Sequence, residues 1–248
     1  MKQPHIGLEA AMGFRYAILP GDPGRLDRVA ELLENPMEMA YNREFRSLAG
    51  MYRGTRVLAI STGIGGCSAG IAVEELHNIG VEAMIRVGSC GALQREIGLG
   101  ELILASGAVR DDGASKAYVD PIYPAVADTE LLMYCMESAK ELGCPYRVGI
   151  VHSHESFYYD EADADSSYWS ARGVLGADME TAALFTIGRL RGVRTASVLN
   201  NVVLWGADTA DAIGGYADGE SLTAQGERNE LLTALGALAL LDKKESAL

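Results

Sequence analysis

Between residues 16 and 199 short apolar runs alternate with stretches of helical spacing, and several of the runs end on glycine-bearing turns. Segments 16–19, 37–41, 45–52, 56–61, 83–87, 102–108, 146–152 and 194–199 read as strands. Segments 26–33, 69–80, 129–142, one beginning near 180 and a C-terminal one reaching about Leu241 read as helices. Such alternation restricts the chain to an α/β fold, with a central mostly parallel or mixed twisted sheet flanked by helices. No Pro, Gly or Ser-rich linker, internal repeat or low-complexity stretch divides the 248 residues, so a single domain over 1–248 is predicted. In that architecture ligand-binding turns gather at the carboxyl ends of the strands.

The formal charge of −13 repels a phosphate backbone or an anionic membrane surface, so neither nucleic acid nor membrane is expected as a partner. An anionic small molecule would need arginines gathered around it. The four cysteines, Cys67, Cys90, Cys135 and Cys144, form no CxxC pair and do not cluster with the four histidines. Neither a zinc site nor a disulfide framework is predicted, and reduced thiols in a cytoplasmic protein are expected. The sequence shows no basic leader with an apolar core and no run long enough to span a bilayer.

Three turns carry the chemistry. The run 83–87 brings Arg86 to Gly88-Ser89-Cys90-Gly91, where the strand is expected to end and the backbone to bend, a place to hold an anion. Taken alone it is equally a salt-bridged arginine beside an ordinary turn. Pro20-Gly21-Asp22-Pro23-Gly24-Arg25 reads as a strand-to-helix junction that favours phosphate, or as a turn chosen for geometry with a surface arginine. Thr62-Gly63-Ile64-Gly65-Gly66 lets a ligand approach the backbone, yet Ser68 stands where a dinucleotide fingerprint needs its third glycine. Residues 109–115 read as a polar turn, 160–165 as a solvated acidic loop or helix start, and Asp178 and Glu180 as first-turn carboxylates of a helix, usually capping groups.

Together, Gly21-Asp22-Pro23-Gly24-Arg25, Asn42-Arg43-Glu44-Phe45, Ser61 to Gly66, Arg86 to Gly91 and Asp178-Met179-Glu180 resemble the hexameric nucleoside phosphorylases, the purine nucleoside and uridine phosphorylase family. The likeness runs from His5 to about Leu199. It implies phosphorolysis, in which inorganic phosphate as co-substrate displaces the base of a nucleoside to give ribose 1-phosphate, with no other cofactor. By resemblance Gly21, Arg25, Arg86 and Ser89 hold phosphate within one subunit and Arg43 reaches it from a neighbour. Arginine suits a dianion because its planar charge is permanent. The bound phosphate also stabilises the positive charge that develops at C1′. Glu180 and the Met179 backbone would bind the ribose hydroxyls, with His5 of an adjacent subunit on the 5′ hydroxyl. Without the family match His5 reads as a surface histidine. Phe157 would lie beside the base, its plain alternative being core packing. A homo-oligomer follows, at least a dimer and by family habit a hexamer. Glu44, Ile64 and Ser68 match a potassium site between subunits, although Glu44 is more simply read as an arginine's partner.

The base pocket departs from both branches. Where uridine phosphorylases carry a glutamine and an arginine to read uracil, this chain has Glu161 and Asp163. Where purine enzymes carry a proton-donating aspartate, a gapless count gives Val202 or Val203, preceded by Asn200 and Asn201, whose amides would hydrogen-bond a departing base without protonating it. The valine pair and Val109-Arg110 leading to Ser115 resemble the uridine branch. A purine nucleoside phosphorylase, a nucleosidase and a non-catalytic binding protein are the alternatives. Residues 160–165, or the loop with Trp205, Asp208 and Asp211, would supply replacement base contacts.

Overall fold

The computed structural model describes residues 1–207 and 221–247, so Asp208 and Asp211 lie outside the described residues. Its strands are β1 (Tyr16–Pro20), β2 (Glu34–Asn42), β3 (Phe45–Tyr52), β4 (Thr55–Ile60), β5 (Ala83–Ala92), β6 (Leu102–Asp111), β7 (Ala125–Val126), β8 (Tyr146–His154), β9 (Gly176–Asp178) and β10 (Arg194–Val203). Its helices are α1 (Arg25–Ala30), α2 (Gly66–Asn78), α3 (Gly113–Tyr118), α4 (Thr129–Leu142), α5 (Ala162–Ser170), α6 (Thr181–Leu190) and α7 (Ser221–Glu245).

The strands form one mixed sheet in the order β10-β6-β8-β9-β5-β1-β4-β3-β2. β1 pairs in parallel with β4 and β5, while β2, β3 and β4 run antiparallel. One end of the sheet closes on itself. β10 pairs with β5 as well as with β6, so β5, β10, β6, β8 and β9 complete a ring. Closure satisfies backbone groups that an edge would expose. Two apolar cores result: one contains Leu76, Leu184 and Phe185 from α2 and α6, the other Leu26, Leu131 and Leu235 from α1, α4 and α7.

Local chemistry fixes the helix ends. Asp128 accepts from the Leu131 N–H at 2.9 Å and Gly143 closes α4 at φ 67°, so the helix spans the residues its periodicity predicts. A cap of this kind contributes about 1 kcal/mol. Three local expectations are corrected. Gly88 to Gly91 is not a turn: β5 runs through it, paired with β10. The glycine at 88 leaves room for the Arg86 guanidinium, whose atoms lie 2.6–2.9 Å from where a Cβ would stand. Residues 109–115 are the end of β6 and the start of α3, which Asp112 caps by accepting from the Ser115 N–H at 2.6 Å. Asp178 and Glu180 precede α6 instead of lying in its first turn. Among the described residues no helix is long and apolar enough to cross a membrane.

Candidate active site

The Arg86 side chain leaves β5 on the α2–α6 side and is 6% exposed. Its Nε donates to Asp178 Oδ2 at 2.9 Å, and its Nη2 lies 2.6 Å from Glu180 Oε2. Asp178, at the end of β9, also accepts from Ser153 Oγ at 2.6 Å and from the Thr181 N–H and hydroxyl at 3.0 and 2.6 Å. The capping reading therefore holds, and the same carboxylate orients the arginine. Glu180 Oε1 accepts from the Gly65 N–H at 2.5 Å, which binds the glycine loop after β4 to the start of α6. Burial opposes ionisation of Asp178, but Arg86 and the converging hydrogen bonds hold its carboxyl below the usual range. Burial pushes Glu180 up, with Asp178 adding to the effect and Arg86 resisting it. The group expected to hold phosphate and the group expected to hold ribose are thus bonded to each other.

Arg25 opens α1 and is 5% exposed, so it is not the surface arginine of the simple reading. Its Nη1 donates to the Val87 carbonyl at 3.3 Å and lies 3.1 Å from Glu230 Oε1, while its Nε is 3.4 Å from Glu227 Oε2. Both carboxylates come from α7, and Glu230 also accepts from the Asn200 N–H at 3.1 Å. Burial pushes the Glu230 carboxyl up to about 8 against the pull of Arg25. Because the folded chain binds this proton more tightly than the unfolded chain, the stability it contributes is complete below about 4.5 and is lost as pH rises through about 8. Replacing Glu230 by Gln will flatten unfolding free energy between pH 5 and pH 8 by a few kcal/mol, as an order of magnitude. Urea titrations at the two pH values read this as a difference in slope, and an unchanged slope would place the titration elsewhere.

Gly21 lies where β1 and β4 end side by side: its carbonyl accepts from the Gly63 N–H at 2.9 Å, and a Cβ on it would stand 3.3 Å from the Gly63 carbonyl oxygen. Ser89, on β5, is paired with Asn200, and half-buried Met179 joins Asp178 to Glu180. Val202 and Val203 are buried at the end of β10, with Val203 opposite Gly91. The Asn200 and Asn201 side-chain nitrogens donate to the Thr223 and Gly98 carbonyls at 2.9 Å each, while their buried side-chain oxygens have no hydrogen-bond partner among the described residues. Arg110 is likewise committed, to Ser115 and to the carbonyls of Val119, Asp120 and Tyr123.

Among the described residues no contact within the single chain joins His5, Arg43 or Phe157 to Arg86 or Glu180. His5 is more than a surface histidine: its Nδ1 lies 2.6 Å from Glu75 Oε1, and its backbone N–H and that of Ile6 also donate to Glu75. Arg43 is exposed in the β2–β3 hairpin, at φ 56°. Phe157 is 36% exposed and edge-on to Tyr158, so core packing does not account for it. Glu161 and Asp163 are exposed at the start of α5, and Trp205 is half-buried. Glu44 accepts from Ser68 Oγ at 2.7 Å; among the described residues no arginine hydrogen-bonds to it, and Arg43 favours its ionised form through charge alone. Ser68 first, then its own backbone, keeps Glu44 ionised against burial, and Ile64, which follows Gly63 of the loop packed on Glu44, is 80% exposed. These oxygen donors suit a hard cation.

The sequence profile described as the phosphorylase superfamily matches residues 15–229. The chain belongs to the phosphorylase superfamily. The matched span contains Arg25, Arg86, Glu180 and Glu227, while His5 precedes it and Glu230 follows directly after it. Among solved structures of this superfamily, uridine phosphorylase from Vibrio fischeri superposes with a TM-score of 0.90 at 47% identity, over 96% of this chain and 98% of that one. Uridine phosphorylase from Thermococcus kodakarensis is 41% identical over 208 residues, 79% of this chain and 75% of its own length. Guanosine phosphorylase from Halorubrum lacusprofundi is 40% identical over 197 residues, 79% of this chain and 81% of its own length. The relatives thus differ in the base that their names carry.

Sequence reasoning missed Glu227, Glu230 and Ser153, and saw in Asp178 only a family motif and a cap. A buried arginine implies a buried acid, but no local pattern identifies an acid 205 residues away.

Proposed function

We propose that the chain catalyses phosphorolysis of nucleosides, with uridine the favoured substrate, and works as an oligomer in which His5 and Arg43 serve a neighbour's site. The observation that carries this reading is the buried Arg86, level with the carboxyl end of β1, gripped by Asp178 and facing Glu180, with Arg25 near enough to weaken its hold on its own proton. Two buried arginines held close together against their mutual repulsion suit a dianion better than water as the nucleophile. Phosphate displaces Glu180 from Arg86 Nη2. Glu180 is then released to accept from the ribose hydroxyls, with the Met179 backbone beside it. A phosphate oxygen bonds to C1′ as the bond from C1′ to the base nitrogen breaks, and the electron pair leaves with the base. Gly21 and Ser89 line the phosphate end, and Phe157, Val202 and Val203 the base end. Potassium would sit on Glu44, Ser68 and the Ile64 backbone.

The test is base and sugar phosphate release from uridine, thymidine, inosine, guanosine, adenosine and cytidine, with and without phosphate. Uracil release that requires phosphate is expected. Release without phosphate would make the chain a nucleosidase, and release from purine nucleosides alone would overturn the uridine preference. Glu180→Gln should cost about 10- to 100-fold in kcat/KM on uridine, the worth of one hydrogen bond to a charged acceptor. The loss should be smaller on 2′-deoxyuridine. Equal losses on both substrates would remove Glu180 from the 2′ hydroxyl.

A further inference from the structure

Among the described residues, Asp111, His152 and Asp165 form the one cluster of three or more carboxylate, imidazole or thiol groups whose ligand atoms lie within 4.8 Å of one another. Asp111 ends β6, His152 is on β8, and Asp165 is in the first turn of α5. β6 and β8 pair in parallel with Val109 opposite His152 and Asp111 opposite His154, which places Asp111 and His152 on one face of the sheet. Ser153, which serves Asp178, points to the other face. The cluster is therefore separate from the Arg86 site.

His152 is 2% exposed, and its ring packs on Trp169 with centroids 5.1 Å apart. Its Nε2 lies 3.3 Å from Asp111 Oδ2, longer than an ionised pair in direct contact adopts. Two ligands of a tetrahedral ion, each about 2.0–2.1 Å from it, stand about 3.3 Å apart. Outer partners hold both carboxylates, as they do around bound ions: Lys116 Nζ is 3.2 Å from Asp111 Oδ1, and Tyr159 donates to Asp165 Oδ2 at 3.0 Å.

We propose that Asp111, His152 and Asp165 bind a divalent transition-metal ion of the zinc type, which ties α5 to the ends of β6 and β8. One imidazole nitrogen and two carboxylate oxygens are the donors such ions take, with water completing the shell. A buried imidazole disfavours calcium and magnesium, which prefer oxygen throughout. Two carboxylates against one exposed ammonium leave the site negative, in a chain of net charge −13. The ion would close the chain between His152 and Asp165 into a loop, reducing the freedom of the segment that holds Phe157. The role of Phe157 rests on the reading above, whereas the ion site does not.

Zinc titrated into the chelator-treated chain by calorimetry should bind at one ion per chain and raise the thermal midpoint. Asp165→Asn, a change at a half-buried helix position, and His152→Gln should each weaken binding at least tenfold. In Trp205→Phe, which leaves Trp169 as the one tryptophan, nickel should quench the remaining fluorescence, and Asp165→Asn added to it should abolish the quenching. Zinc binding that is equal in the parent and both variants, or nickel binding without quenching of Trp169, would overturn the proposal. None of these readouts uses catalysis, so failure of the phosphorolysis reading would leave them unaffected.

Discussion

Replacing Arg86 by alanine will lower phosphate-dependent kcat/KM by about two orders of magnitude or more and will remove about 3–5 kcal/mol of folding stability. Both effects come from one side chain because Arg86 is the cation between two buried carboxylates as well as the expected phosphate ligand. Without it, Asp178 keeps the Ser153 and Thr181 donors and Glu180 keeps the Gly65 N–H, yet neither retains a positive partner. A buried charge left without its partner costs more than the intact pair contributes. The deficit should shrink as pH falls and Glu180, already raised by burial, takes up its proton. Arg86→Lys separates the two roles. It restores the charge but not the pair of directed donors, so stability should recover further than turnover. Denaturant titration beside steady-state kinetics reads both. A stable, fully active Arg86→Ala chain would remove this residue from the site and leave the family likeness without its local chemistry.

How far the sequence reaches can be read from the same residues. Apolar periodicity locates β1, β3, β4, α2 and α4 because each buries one face or a whole strand, and burial is what periodicity records. The likeness to a phosphorylase brings Arg86 and Glu180 together although 94 residues separate them. Three features leave no local trace. The ring closure depends on β5 having β10 for a partner along most of its length, which no strand announces in its own composition. The neutralisation of Arg25 depends on α7, whose two glutamates look like an ordinary solvated face until the helix is laid against β10. The Asn200 and Asn201 amides read as base contacts from their position, whereas their nitrogens tie β10 to residues 98 and 223. In each case a long-range partner decides the role, and propensity carries no information about it.

Gly88 shows the opposite error, a local signal that was strong and misread, and it gives the second large expected effect. Glycine beside serine and glycine suggests a turn, yet no left-handed φ occurs at Gly88, and it lies inside a ten-residue strand. What the position needs is space. A Cβ there would stand 2.6 Å from Arg86 Nη2, 2.7 Å from its Cζ and 2.9 Å from its Nη1. A free arginine would swing aside at little cost, but this one is fixed at Nε by Asp178 and at Nη2 by Glu180. Moving the guanidinium by the ångström or so that a methyl requires breaks one contact or both. Gly88→Ala should therefore cost about 2 kcal/mol in stability, within the range for overpacking, and at least tenfold in kcat/KM for phosphate. Gly91→Ala is the stability control three residues along the same strand. Its Cβ would meet Val203 at 3.6 Å, an ordinary contact, and the smaller entropy of the unfolded chain should leave stability unchanged or raised by about 0.5 kcal/mol. Equal stability losses at 88 and 91 would mean that the strand resists any side chain. A loss at Gly88 alone, with phosphate saturation impaired more than nucleoside saturation, would show that the glycine is there to seat the arginine.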